Sequence, residues 1–294
     1  MKVTIAKSAG FCFGVSRAAE KIEELLQASD KKVYTFGELI HNRIYNDSLA
    51  KRGVNIIESL EEARKIAESN VPSVVVIRTH GVPKEISETL FALAAKHKNF
   101  QIADMTCPFV MKIHKIAEEE TNESSVLFLL ATEGHPESIG IVSHAVGKVI
   151  TFQYAEQLEK LTKPYLTGNF CMLLASQTTQ NHEEFKKSKL FFKKHFTNAK
   201  IFDTIWNVTD SRQKEAAALS ATSDLMLVIG GKNSSNSRKL FDICLKNCKK
   251  TFFVEDATEI DSISLDGTEQ NIGITAGAST PVGLIKEIEH KWKK

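Results

Sequence analysis

A short segment recurs three times along the chain, and this repeat limits the folds open to the sequence. In residues 104–108 an extended run ends at Cys107, and Pro108, a residue favoured in the first turn of a helix, follows at once. Cys12 precedes a helical pattern 95 residues earlier, and Trp206 takes the corresponding place 99 residues later. The spacing predicts three copies of one unit, with each cysteine at the positive end of a helix, where a thiolate is stabilised.

Short apolar runs rich in β-branched residues alternate with stretches of helical periodicity. This alternation is typical of α/β units with parallel strands. The candidate strands are Lys2–Ala6, Lys32–Thr35, Ser73–Arg78, Ser125–Leu130, Met172–Ala175, Leu225–Ile229 and Asn271–Thr275. We therefore predict an α/β protein with three pseudo-symmetric α/β lobes and parallel-rich sheets around a central pocket. The predicted lobes are residues 1–105, 106–203 and 204–294.

Polar loops follow the predicted strands at matching distances from the three anchors Cys12, Cys107 and Trp206. The loops 28 or 29 residues after an anchor contain His41, His135 and Ser234. The loops 68 to 73 residues after an anchor contain His80, Thr178 and Ser279. Ligands of open α/β sheets bind at the carboxyl ends of the strands, so we expect these loops to face one pocket.

The loop 230–237 follows a strand and opens a helix. Its backbone N–H groups and the side chains of Ser234, Ser235 and Asn236 are suited to binding an anion. The alternative is a polar turn that only caps the helix. The matching loop 276–280 and the histidines favour a phosphate or diphosphate pocket.

His135 and Glu137 share one strand-end loop, which makes them a reasonable pair for proton delivery. A purely structural histidine and a solvated glutamate are the alternative. A zinc or iron site on His41, His80, His135 and Glu137 is a further interpretation, and no HExxH spacing supports it.

The five cysteines are odd in number and scattered, which favours a reducing compartment over a disulfide framework. Cys12 and Cys107 are either buried thiols or joint ligands of one soft metal centre, and their repeat-related places favour an iron–sulfur cluster. The net charge of +2 gives no argument for nucleic acid. The apolar runs, such as Val126–Ala131, are too short for a membrane span and no signal region is evident, so we predict a cytoplasmic protein.

The ordered motifs resemble those of the 4-hydroxy-3-methylbut-2-enyl diphosphate reductase (IspH/LytB) family. The matching motifs are Gly-Phe-Cys-Phe-Gly-Val at 10–15, His-Asn at 41–42, Thr-His-Gly-Val at 79–82, Asp-Met-Thr-Cys-Pro at 104–108, Gly-His-Pro-Glu at 134–137, Gln-Thr-Thr at 177–179, Gly-Lys-Asn-Ser-Ser-Asn-Ser at 231–237 and Ala-Gly-Ala-Ser at 276–279.

The resemblance implies a three-lobed fold around a 4Fe-4S cluster held by one cysteine per lobe. The cluster would take the allylic hydroxyl of the substrate, and ferredoxin or flavodoxin would supply two electrons singly. The products would be isopentenyl and dimethylallyl diphosphate, in the last step of the methylerythritol phosphate route. The residues that the resemblance assigns to substrate binding are His41, His80, His135, Thr178, Ser234, Ser235, Asn236 and Ser279. Those that it assigns to catalysis are Glu137, Thr178 and His135.

The chain departs from the family pattern at the third ligand, because Asp203-Thr204-Ile205 is followed by Trp206 where the pattern has cysteine. An indole offers an N–H donor and no lone pair for iron. Structural roles are expected for the remaining cysteines, Cys171, Cys244 and Cys248. The chain is therefore either a reductase with a replaced ligand or a cluster-deficient homologue that binds isoprenoid diphosphates without reducing them. A metal-dependent diphosphate hydrolase is the third alternative.

One predicted helix concentrates positive charge. Its basic residues are Lys186, Lys187, Lys189, Lys193, Lys194 and His195. A solvated helix face and a docking surface for an acidic electron donor are the two interpretations.

Overall fold

The computed structural model of the protein describes residues 2–28, 30–166 and 168–292, apart from the side chain of Asn207. The strands are β1 Lys2–Ile5, β2 Lys32–Phe36, β3 Asn55–Ile57, β4 Ser73–Ile77, β5 Phe100–Asp104, β6 Ser125–Leu130, β7 Lys148–Phe152, β8 Cys171–Ser176, β9 Lys200–Ile201, β10 Leu225–Ile229, β11 Thr251–Val254 and β12 Asn271–Ala276. The helices are α1 Phe13–Gln27, α2 Arg43–Lys51, α3 Leu60–Glu68, α4 Lys84–Lys96, α5 Pro108–Glu120, α6 Pro136–His144, α7 Leu158–Thr162, α8 His182–His195, α9 Asn207–Ser220, α10 Ser235–Asn247 and α11 Val282–Trp292.

The α/β prediction is confirmed by three four-stranded sheets. Each predicted strand is present, and its ends differ from the predicted ones by at most one residue. The described residues fall into two compact units. The first unit takes them from Met1–Glu23, Glu38–Asn55 and Asn207–Lys294, and the second from Glu24–Gly37 and Ile56–Trp206.

The first unit contains one sheet with the strand order β1-β12-β10-β11, in which each pair is parallel. Along β10, Leu225, Leu227 and Ile229 pack into one apolar cluster, which also holds Trp292 of α11. The alternate residues of β10 pack into a second cluster with Leu240 of α10. Both faces of the strand are covered by helices, which explains why β10 is apolar at every position.

The second unit contains two sheets, with the strand orders β3-β2-β4-β5 and β7-β6-β8-β9. Strands β4 and β6 are buried along their whole length. In the register of the parallel pair β6–β8, Leu130 lies opposite Ser176. The loops that leave these two strands therefore start side by side at one sheet edge.

The lobe bounds 1–105, 106–203 and 204–294 remain predictions. The strand pairing adds that β1 joins the sheet of the third predicted lobe, since Val3 lies opposite Ile272 of β12. Within the described part of the chain, no helix combines the length and the apolar character needed to cross a membrane.

Candidate functional site

Glu137 and Thr178 meet at the carboxyl edge of the sheet that contains β6 and β8. The Glu137 side chain is 2% exposed. The backbone N–H of Thr178 donates to Glu137 Oε1 at 2.7 Å, and the Thr178 hydroxyl donates to Oε2 at 3.0 Å. A buried carboxylate needs such donors, and a group fixed by them is well placed to give or accept a proton.

His135 is the N-cap residue of α6, and Pro136 occupies the first helical turn. The Nδ1 atom of His135 accepts a hydrogen bond from the backbone N–H of Glu137 at 3.1 Å. A neutral imidazole whose Nδ1 accepts carries its proton on Nε2, which makes Nε2 the donor atom of this ring. The ring of His80 lies edge-on to that of His135, with ring centroids 5.5 Å apart.

Cys107 is the N-cap residue of α5, which confirms the predicted helix start. Its backbone N–H donates to the carbonyl oxygen of Thr79 at 2.9 Å. Trp206 is fixed by its own backbone N–H, which donates to the carbonyl oxygen of Thr178 at 3.2 Å. The indole lies against the ring of Phe109, with centroids 4.8 Å apart and planes 35° apart.

Cys12, in the first unit, directly precedes α1, and its backbone N–H donates to the carbonyl oxygen of Ala278 at 3.0 Å. Burial raises the pKa of the Cys12 thiol, although the backbone N–H of Val15 and the charge of Arg212 oppose the rise. The expected stabilisation of a thiolate at a helix start is therefore outweighed by desolvation at Cys12.

Arg212 of α9 was not among the sequence-predicted residues. Its side chain is buried, and Nη1 donates to the carbonyl oxygens of Gly10 at 2.9 Å and Ala276 at 2.7 Å. The helix stripe that buries Arg212 also contains Thr209, Gln213, Ala216 and Ser220, and because it is mostly polar the sequence of α9 shows no apolar periodicity that would mark it.

The predicted anion loops of the first unit come together. The Ser279 hydroxyl donates to the carbonyl oxygen of His41 at 3.1 Å. A Cβ atom at Gly231 would lie 2.4 Å from the same oxygen, so this approach requires glycine. Ser234 is the N-cap residue of α10 and accepts from the backbone N–H of Ser237 at 3.3 Å.

The remaining first-unit residues lie at the same helix start. Asn236 is buried, and Ser235 accepts a hydrogen bond from Lys239 Nζ at 2.7 Å. The capping role that the sequence offered as an alternative is thus present at Ser234, and anion binding by this loop remains a prediction.

Comparison with known proteins supplies the family. Residues 3–293 match the family model described as LytB protein. The chain belongs to the LytB family. A 4-hydroxy-3-methylbut-2-enyl diphosphate reductase of Caldanaerobacter subterraneus subsp. tengcongensis is 40% identical over 100% of this chain and 97% of its own length. The reductase of Nitratiruptor sp. is 38% identical over 100% of this chain and 99% of its own length.

Two solved structures resemble this LytB-family chain. The structure of (E)-4-hydroxy-3-methyl-but-2-enyl diphosphate reductase, described as the terminal enzyme of the non-mevalonate pathway, has a TM-score of 0.67 at 31% identity and covers 99% of this chain and 98% of its own. A reductase structure from Plasmodium falciparum has a TM-score of 0.81 at 24% identity, covers 99% of this chain and 88% of its own, and supports the fold.

The three cysteines outside the repeat do not complete the ligand set of a LytB-type cluster. Cys171 is the first residue of β8, at the opposite end of the strand from Ser176 and the Thr178 loop. Cys244 is buried in α10, where burial raises the pKa of its thiol to about 12, and Cys248 caps the end of that helix. These places agree with the structural roles predicted for them.

A 4Fe-4S cluster held by three cysteines therefore does not fit the side chains of this chain. Cys12 and Cys107 stand at predicted ligand positions, and the third position holds the indole of Trp206, which has no lone pair for iron.

A second histidine pair lies between α5 and α6. The rings of His114 and His144 stack with centroids 4.3 Å apart. A Cβ atom at Gly81 or Gly140 would approach the His114 ring to 2.9 Å, so two glycines make room for the imidazole. His144 Nδ1 lies 3.5 Å from Glu118, which also pairs with Lys84 at 2.6 Å.

The histidine pair predicts that the free energy of unfolding falls at acid pH. Burial and the neighbouring His144 lower the pKa of His114 to about 4, from an ordinary value of 6.5. The unfolded chain takes up a proton below about pH 6.5 that the folded chain refuses until about pH 4, so stability is lost as the pH falls through this window. The part due to His114 is about 2–3 kcal/mol. Urea unfolding of the parent and of His114→Leu from pH 7 to 4 measures it.

His114→Leu is expected to flatten the fall in unfolding free energy with pH. His144→Asn is the matched variant, and it should flatten the fall less, because burial of His114 remains. An equally steep fall in parent and His114→Leu would contradict the assignment.

Proposed function

We propose that this chain acts on 4-hydroxy-3-methylbut-2-enyl diphosphate, the substrate in the names of its relatives. The reaction is reductive dehydroxylation, in which two electrons and two protons convert the substrate to isopentenyl or dimethylallyl diphosphate and water, the last step of the methylerythritol phosphate route. One proton completes the water, and the second forms the new C–H bond. The observation that carries the proposal is the buried Glu137 carboxylate, whose two oxygens accept from the N–H and the hydroxyl of Thr178.

Removal of a hydroxyl group as water requires a proton at the departing oxygen. In its protonated form Glu137 donates from Oε2 to the Thr178 hydroxyl oxygen, 3.0 Å away, and that hydroxyl passes its own proton to the departing oxygen. His135 keeps the pair in place, since its Nδ1 holds the first turn of α6.

The diphosphate is bound by hydrogen-bond donors of side chains and backbone. His135 presents Nε2–H, and the helix start at Ser234 presents backbone N–H groups together with Ser235 and Asn236. The other residues proposed for the diphosphate are His41, His80, Thr178 and Ser279.

Electrons come from ferredoxin or flavodoxin in this proposal, and α8 offers the basic surface for such an acidic donor. Lys187 and Lys189 of this helix are already paired, with Glu184 at 2.7 Å and Asp203 at 2.8 Å. The last turn carries Lys193 and Lys194. The predicted cytoplasmic location belongs to the same proposal.

Neutralising the last turn tests the donor surface. Lys193→Gln with Lys194→Gln is expected to lower kcat/KM for reduced ferredoxin about fivefold at low salt, because charge complementarity accelerates encounter. Turnover with dithionite should stay the same. The matched control is Lys187→Gln, whose charge is already paired. Equal kcat/KM for reduced ferredoxin in the parent, the double variant and Lys187→Gln would contradict the proposed docking surface on α8.

A second candidate function follows from Trp206. A chain without the third thiolate is a cluster-deficient homologue that binds isoprenoid diphosphates without reducing them. The favouring observation is that the third anchor holds an indole, which offers iron no lone pair, while its backbone N–H still donates to the carbonyl oxygen of Thr178.

Iron content and binding, measured on the same preparation, separate the two functions. The protein is purified without oxygen, and iron, acid-labile sulfide and the affinity for the hydroxylated substrate are determined. Substrate binding with iron and reductant-dependent product supports the reductase. Substrate binding by a colourless protein without turnover supports the second function, and no substrate binding rejects both.

A further inference from the structure

Phe109 and Trp206 form an aromatic pair beside the proposed proton-handling residues. Phe109 lies in the first turn of α5, two residues after Cys107, and is 37% exposed. The two rings lie face to face at a tilt, with centroids 4.8 Å apart. The exposed phenylalanine and the half-buried indole together present an apolar surface.

The position of Trp206 is set from both sides of the chain. Ile205 is buried in the cluster that also contains Phe128 and Leu174. The backbone N–H of Trp206 donates to the carbonyl oxygen of Thr178. The backbone at Trp206 is therefore held at this sheet edge, and the indole lies against the Phe109 ring.

The aromatic pair adjoins the polar residues through a single residue. The carbonyl oxygen of Thr178 accepts from the backbone N–H of Trp206. The backbone N–H and the hydroxyl of Thr178 both donate to Glu137. The two rings therefore border the loop whose Thr178 holds Glu137. Small-molecule sites commonly combine an apolar wall with a few fixed polar groups in this way.

We propose that the aromatic pair is a hydrocarbon subsite, which makes this chain favour short isoprenyl diphosphates that end in a methyl group over those that end in a hydroxymethyl group. The inference rests on the proposed diphosphate binding. A methyl group gains contact with the rings and loses little water, whereas a hydroxyl group placed against ring faces gives up hydrogen bonds with water. The one polar group on the two rings is the indole N–H, which can donate a hydrogen bond but cannot accept one.

Tryptophan fluorescence tests the subsite directly, because the chain has two tryptophans, Trp206 and Trp292. Trp292 packs in the core of the first unit, so Trp292→Phe leaves the emission to Trp206. This protein is titrated without reductant with dimethylallyl diphosphate, with 4-hydroxy-3-methylbut-2-enyl diphosphate and with inorganic pyrophosphate. Calorimetry on the unaltered chain gives the same three dissociation constants.

Dimethylallyl diphosphate is expected to shift the Trp206 emission and to bind about tenfold tighter than the hydroxylated compound. Pyrophosphate is expected to bind and to leave the emission unchanged. Phe109→Ala and Trp206→Ala should each bring the ratio of the two isoprenyl dissociation constants towards one. Two independent variants keep the result readable if one of them folds poorly.

The outcomes separate this inference from the function on which it rests. If neither pyrophosphate nor an isoprenyl diphosphate binds, the proposed function fails and the subsite fails with it. If all three bind, but the hydroxylated compound is equal or tighter, or both alanine variants keep the parent ratio, diphosphate binding stands and the subsite is refuted.

Discussion

Trp206→Cys is expected to yield a brown protein that carries about four irons per chain after anaerobic purification. The substitution restores a thiolate at the third anchor, in addition to Cys12 and Cys107. A cysteine is much smaller than the indole, so it also vacates the ring contact with Phe109. Iron, acid-labile sulfide and the visible absorption spectrum of parent and variant are the measurements.

Trp206→Ser is the matched control, because it removes the same ring and supplies no thiolate. The serine variant should stay colourless, which assigns the gained iron to the sulfur atom rather than to the vacated space. A parent that already carries four irons would show that another group replaces the third cysteine. A cysteine variant without iron would contradict the assignment of the three anchors.

The positions of strands and loops could be predicted because their causes are local. Strands β6 and β10 are covered on both faces, and an uninterrupted apolar run bounded by polar turns records that burial. Pro108 marked the start of α5 for an equally local reason, since its fixed φ suits the first turn of a helix.

Which strands pair with each other, and which distant groups a side chain contacts, could not be predicted from local sequence patterns. β1 pairs with β12, about 270 residues further along, and nothing in the sequence of a strand names a distant partner. The place of Arg212 depends on carbonyl oxygens of Gly10 and Ala276, which become its acceptors only after the loops meet. The approach of Gly231 to the carbonyl oxygen of His41 is of the same kind.

In the candidate site, too, the parts with local causes could be predicted and the contacts between distant side chains could not. The repeat offsets selected the loops of His135 and Thr178, and these loops lie at one sheet edge because parallel strands bring their carboxyl ends together. The offsets could not show that Trp206 packs on Phe109, since ring contacts depend on side-chain rotamers and loop paths. Sequence reasoning therefore brought together the polar residues Glu137 and Thr178 of the candidate site and missed the contact between Trp206 and Phe109.

Glu137→Gln is expected to lower turnover by about 10²–10⁴-fold, while the affinity for the substrate changes little. Glutamine keeps the shape of the side chain, and its carbonyl oxygen can still accept from the Thr178 N–H. An amide cannot release a proton at neutral pH, so proton delivery to the departing oxygen is lost. Turnover is measured without oxygen using a chemical reductant, in the parent if it carries iron and otherwise in Trp206→Cys.

Variants of Thr178 distinguish a proton relay from simple positioning. Thr178→Ser keeps the hydroxyl that donates to Glu137 Oε2, and is expected to retain most of the turnover. Thr178→Val keeps the branched shape without the hydroxyl, and should approach the loss seen in Glu137→Gln. A relay also makes the double variant little worse than Glu137→Gln alone, because both changes interrupt one proton path. Full activity in Glu137→Gln, or multiplying losses in the double variant, would assign the proton to another group.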